Sequence, residues 1–161
     1  MHNDDETSNP SPPRTGVDPG LRSGDEVGDL GLRTLKMTLS YDGSNYCGWQ
    51  LQPNGVSIQS EVERALGQFT GESIKVVASG RTDAGVHAIG QVISFTTRST
   101  APCRGFLNGL ACHLPADIVV RDVREAPPGF NARYDAIEKC YRYVIHNSPV
   151  RNPFLRNAVL W

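Results

Sequence analysis

Leu35-Lys36-Met37-Thr38-Leu39-Ser40-Tyr41 sets the architecture of this chain. Its apolar residues alternate with Lys36, Thr38 and Ser40, and residues two apart on a strand share a face. The pattern predicts a β-strand with one buried and one polar face. Asp42-Gly43-Ser44 marks its end, because these residues favour turns. Such a strand needs sheet neighbours and a cover for its apolar face.

Both can be read downstream. Ser57 is a suitable N-cap, after which Ile58, Val62, Ala65, Leu66 and Phe69 fall on one helical face and Glu61, Glu63 and Arg64 face water. That helix is expected to end between Gly67 and Gly71. The apolar run Ile74 to Ala78 and a second from Gln91 to Phe95 flank a polar turn, and sequential strands joined by a loop are usually sheet neighbours. Pro102 opens a second helical pattern through Phe106, Leu107, Leu110 and Leu114, stopped by Pro115. Ile118 to Val123 reads as a strand, and Ile137 to Ile145 as a longer one. The order predicts an α+β fold: helices on one face of an antiparallel or mixed sheet, ferredoxin-like βαββαβ plus an extra strand.

Upstream the composition changes. Residues 1 to 33 are rich in Pro, Gly, Ser, Asp and Glu and hold too few apolar groups to fold, so a disordered acidic tail is expected before a domain at 34–161. Residues 1 to 32 carry two basic residues against seven acidic ones, a net of -5 within a total of -1. Fourteen basic and ten acidic residues remain over residues 33 to 161, a net of +4 that suits a polyanion without requiring one. The acidic start lacks a secretory signal's basic flank and apolar stretch, and no run approaches a membrane span; the expected compartment is the cytosol, with no membrane partner. Cys47, Cys103, Cys112 and Cys140 lack the close pairing of a zinc or disulfide framework and read as reduced, mostly structural thiols.

Chemistry is expected in the polar turn Gly80-Arg81-Thr82-Asp83-Ala84-Gly85-Val86-His87-Ala88. Arg81, two residues from Asp83, can hold that carboxylate ionised, and an ionised, positioned carboxylate can act as a nucleophile. The plainer alternative is a tight hairpin turn. Tyr46, Trp49 and Gln50 lie in the loop after the first strand, where they can stack on bases or simply cap the core. In the strand expected at 137–145, Lys139, Tyr141, Tyr143 and Ile145 share a face and Arg142 takes the other. His87 has no second His or Cys nearby, so a hydrogen-bonding role is expected for it, and no metal.

Three ordered blocks resemble one known family. The nonapeptide around Asp83, the segment Tyr41-Asp42-Gly43-Ser44-Asn45-Tyr46-Cys47-Gly48-Trp49-Gln50, and Phe130-Asn131-Ala132-Arg133-Tyr134 followed by Tyr141-Arg142-Tyr143 are similar to the bacterial tRNA pseudouridine synthase A family. The resemblance implies a synthase N-terminal domain that isomerises uridine to pseudouridine in the anticodon stem-loop of tRNA (positions 38-40). It implies Asp83 as nucleophile, Arg81 as its catalytic partner, Tyr141 as a substrate contact and Arg133 in the basic block. It further implies tRNA and a homodimer mate as partners, and no cofactor or metal. On this likeness the chain corresponds to the N-terminal catalytic half, with the C-terminal half absent and the cleft lying between the halves. Family members usually carry an Asn where Ala111 stands. The alternative function is a truncated, non-catalytic RNA-binding remnant.

Overall fold

Strand β1 (Arg33–Tyr41) lies inside a four-stranded antiparallel sheet in the computed structural model of the chain, which describes residues 31–161. Its neighbours are β3 (Ala88–Thr97) and β4 (Ile118–Ala126), and β2 (Val77–Ala78) completes the order β2-β3-β1-β4. Met37 pairs with Ile93 on one side and Val123 on the other. Leu35, Met37 and Leu39 are fully buried, as their alternation predicts. Each such side chain stabilises the fold by roughly 1.5–3 kcal/mol relative to an exposed one. The acidic tail expected at the N-terminus lies, through Leu30, outside the described residues.

Helices α1 (Ile58–Thr70) and α2 (Cys103–Leu110) contribute to one core with the sheet's apolar face. The Ser57 hydroxyl accepts from Ser60 N–H, and the Ser60 hydroxyl accepts from Ser57 N–H, both at 3.1 Å. This reciprocal capping satisfies two donors that a helix start leaves open. Gly71 ends α1 at φ +75°, a left-handed conformation that glycine adopts without a Cβ penalty. Gly109 has a packing reason: a Cβ there would lie 2.2 Å from the Phe69 ring, which meets Phe106 edge-on at 5.0 Å.

Ile74 and Val76 are buried, yet only Val77 and Ala78 of the expected strand join the sheet. Glu63 on α1 holds the residues that precede this short ladder. Its carboxylate accepts the Val76 N–H at 3.2 Å and holds the Lys75 ammonium at 2.8 Å, so this backbone is served by a helix side chain.

The strand expected over Ile137 to Ile145 is not formed; Ile145 makes a single bridge to Leu160. Ile137, Tyr141, Tyr143 and Ile145 are all exposed. Lys139 lies against Gly80, next to β2, and β2 offers a ladder of only two residues. Alternation alone cannot fix a strand without an edge to bond.

The face of β1 turned away from the helices carries Lys36, Thr38 and Ser40, each half-buried. Ala132 N–H donates to the buried Ser94 hydroxyl at 3.0 Å, and Lys36 Nζ sits 5.9 Å from the Phe130 ring centre, so the 130–132 turn covers part of this face. Among the described residues no helix is long and apolar enough to cross a membrane. Cys47 and Cys103 are half-buried free thiols, whereas Cys112 and Cys140 are exposed.

Candidate active site

The turn between β2 and β3 is fixed through its backbone. Gln91 Nε2 donates to Gly80 O at 2.5 Å, and Trp49 N–H donates to Thr82 O at 2.9 Å. The Tyr41 and Thr82 hydroxyls lie 2.9 Å apart. Val86 N–H donates to Asp83 O at 3.2 Å, closing the turn, and Gly85 takes φ +78° inside it. Gly85 N–H also reaches Tyr46 O at 3.4 Å.

Two glycines of the segment 41–50 let this turn settle against it. Gly48 stands at φ +103°, and a Cβ there would lie 2.6 Å from Thr82 O and 3.1 Å from the carbonyl carbon of Asp83. A Cβ on Gly43 would come within 2.0 Å of Val86 O. Backbone is thus packed on backbone, an approach that only glycine permits. The first sequence block is therefore a cradle for the second. Its aromatic residues serve the core: Tyr46 and Trp49 are 8% and 2% exposed, so neither is open to stack on a base. Tyr46 donates to Asp117 Oδ1 at 2.5 Å, and burial together with that carboxylate pushes its phenol well above the usual tyrosine range. Burial likewise raises Tyr41, against a smaller opposing effect of its bond to Thr82.

Asp83 and Arg81 are exposed, and among the described residues neither makes an ion pair or side-chain hydrogen bond. The Arg81–Asp83 pairing read from their spacing is not formed. Both side chains project from a tethered backbone into solvent.

His87 closes the turn on its C-terminal side. Its Nδ1 lies 3.2 Å from Gly43 N and 3.0 Å from Asp42 Oδ1, while Nε2 meets the carbonyl of Asn157. The hydrogen-bonding role expected of His87 is what its ring adopts. The Asp42 carboxyl is held below its ordinary range, first by the Ser44 hydroxyl, then by the Ser44 amide, with His87 adding to the effect against slight desolvation. Beside this pair an open depression of about 690 Å³ is lined by Ser40, Asp42, His87, Arg121 and Arg156 among others. Asp83 and Arg81 are outside that lining.

Arg133 and Tyr141 are not brought to Asp83 by any hydrogen bond or ring contact. Arg133 stacks on Tyr134 at 5.8 Å, in a turn where Asn131 Oδ1 accepts the Arg133 N–H at 3.0 Å. Tyr141 is 70% exposed. Its segment instead reaches the turn through Lys139, whose Nζ lies 3.6 Å from where a Gly80 Cβ would be. Ala111 is exposed and caps the end of α2. The contributions of Gly43, Gly48, Asp42 and Lys139 were not expected from sequence. Three of the four fall within the block Tyr41 to Gln50, and that clustering was the available signal.

A four-stranded sheet backed by two helices, with an exposed aspartate presented on a clamped turn between β2 and β3, is the arrangement that the described residues form. Residues 37–135 match the family model described as tRNA pseudouridine synthase, and the chain belongs to that family. It is 52% identical over 125 residues to tRNA pseudouridine synthase A of Geotalea daltonii, covering 78% of this chain and 51% of the relative. The counterpart from Geobacter sulfurreducens is 54% identical over the same shares. That from Neisseria gonorrhoeae is 45% identical over 126 residues, 78% of this chain and 48% of its own length. The chain spans about half the length of the curated relatives it matches.

Proposed function

We propose that this chain carries the catalytic aspartate of a tRNA pseudouridine synthase acting on uridines of the anticodon stem-loop, positions 38-40, with Asp83 as nucleophile. The observation that carries the reading is the Asp83 turn. Its backbone is bonded through Gly80, Thr82, Asp83 and Gly85, while its carboxylate stays open to solvent. A fixed backbone limits the freedom lost when the reacting groups are brought together.

The isomerisation breaks the bond between ribose and the uracil nitrogen, turns the base and rejoins it to ribose through carbon. No electrons are gained or lost overall. Asp83 attacks or deprotonates sugar or base, Arg81 supplies positive charge beside the RNA, and Tyr141 stacks on the detached uracil. Arg133 belongs with the basic residues that meet phosphate. The reaction is assigned to the cytoplasm, with tRNA as partner and a homodimer as the assembly.

The test is pseudouridine mapping in unmodified tRNA after incubation with the 161-residue chain or its Asp83→Ala variant. Modification by the wild type alone is expected; equal modification by both removes Asp83 from the chemistry. One observation favours a second reading, a non-catalytic RNA-binding remnant. Tyr141 stands exposed on a segment that forms no strand pairing beyond the single bridge at Ile145. That reading predicts salt-sensitive RNA binding without turnover.

A further inference from the structure

We propose that His87 is a positioning residue for Asp83, acting through its Nδ1 edge as a tether between the Asp83 turn and the turn Asp42–Gly43. The proposal deepens the pseudouridine synthase reading and rests on it. His87 lies four residues after Asp83, and the link between them is short. The ring is held at Gly43 and Asp42; Val86, next to it, has its carbonyl packed over Gly43, and its N–H bonds Asp83 O. Moving His87 therefore moves the peptide that orients the Asp83 side chain.

The chemistry of the two ring edges separates tether from proton carrier. Nε2 faces a carbonyl, which only accepts, so Nε2 carries a proton. Nδ1 lies between a donor, Gly43 N–H, and an acceptor, the Asp42 carboxylate. Unprotonated, Nδ1 accepts from Gly43; protonated, it donates to Asp42, whose carboxylate is already anchored by the Ser44 amide at 2.9 Å and hydroxyl at 2.6 Å. Either state ties the ring to the same turn. The Nε2 edge holds only the carbonyl of Asn157, outside the cradle of the Asp83 turn.

Asparagine and glutamine distinguish the edges, because an Asn amide falls near the place of Nδ1 and a Gln amide near that of Nε2. The full chain is prepared as wild type, His87→Asn, His87→Gln and His87→Ala. Single-turnover pseudouridine formation and RNA binding by anisotropy are measured on an anticodon stem-loop, with amide 1H–15N spectra of each protein. Gln and Ala are expected to lower the rate by about 10- to 100-fold, the scale of a slight misplacement of a reacting group, with RNA affinity little changed. Asn is expected to restore most of the rate, and the amides of Ala84 to Val86 to shift in Gln and Ala but not in Asn. A rate lost equally in Asn and Ala, or retained in all three, overturns the proposal. If the wild type forms no pseudouridine, the functional reading fails separately, and the spectra decide the tether. Shifts confined to the turn in Gln and Ala support it, and their absence overturns it.

Discussion

Strand β1 and the segment 137–145 carry a similar signal, apolar or aromatic residues at alternate positions with Lys139 the exception, and meet opposite fates. Leu35, Met37 and Leu39 are fully buried between two paired strands; Ile137, Tyr141, Tyr143 and Ile145 stand in solvent. Alternation states which side chains share a face, but a strand exists only where a neighbour supplies the other half of the ladder. β1 has β3 and β4. The later segment passes β2, whose ladder is two residues long and whose preceding residue, Val76, gives its N–H to Glu63.

The largest expected effect tests that difference directly. Leu39→Ala should destabilise the domain by about 2–5 kcal/mol in urea unfolding, as cavity-forming changes in a closed core do. Ile145→Ala should stay within about 0.5 kcal/mol, the range of exposed sites. A large loss at Ile145 would break the comparison, since it would mean that the later segment is packed in solution.

Next in size are the glycines beneath the Asp83 turn. Gly48→Ala combines a left-handed φ of +103° with a Cβ 2.6 Å from Thr82 O. It should cost about 1–3 kcal/mol and shift the amide signals of Thr82 and Asp83. Gly85→Ala shares the left-handed conformation, φ +78°, but meets nothing within 4 Å. It should cost about 1 kcal/mol, the conformational part alone. Equal losses at the two sites would show that contact with the turn contributes nothing.

The contrast also explains what the sequence could disclose. β1, the N-cap at Ser57, the C-cap at Gly71 and the turn at Asp83 were legible as local structure because each depends on residues near in the chain, through alternation, capping or turn chemistry. The Glu63–Val76 bond, the Gly48–Thr82 contact and the His87–Gly43 bond join residues 13, 34 and 44 positions apart, and no local pattern encodes them. The same limit left two points of the candidate site open. Tyr46 and Trp49 could stack on bases or cap the core, and both are buried. The Arg81–Asp83 spacing suggested a pair, whereas the turn directs both side chains outward without joining them.

A smaller effect sharpens the comparison at a helix start. Ser57→Ala removes the acceptor for Ser60 N–H and should cost about 1 kcal/mol in the same unfolding experiment. Ser148→Ala is the counterpart in the exposed C-terminal stretch, where the Ser148 hydroxyl accepts only the Val150 N–H at 3.3 Å. It should leave the midpoint nearly unchanged.

The smallest expected effect is a dependence on acid. Desolvation raises the Glu72 carboxyl, but the Arg98 amide, the Thr97 hydroxyl and the Ser99 amide outweigh it together, so the group sits below its ordinary 4.5. A carboxyl depressed in the folded state contributes stability that is present above its unfolded value and lost as pH falls through the folded one. Wild-type stability should therefore decline below about pH 4.5, and Glu72→Gln should flatten part of that decline. Part of the slope should survive, because Asp42 is shifted in the same direction. Unfolding midpoints measured down this range for both proteins give the answer. Glu72 joins the end of α1 to the end of β3, two elements of the paired half of the molecule. An unaltered slope in Glu72→Gln would mean that the junction is already open to water, and that the cooperative core stops short of it.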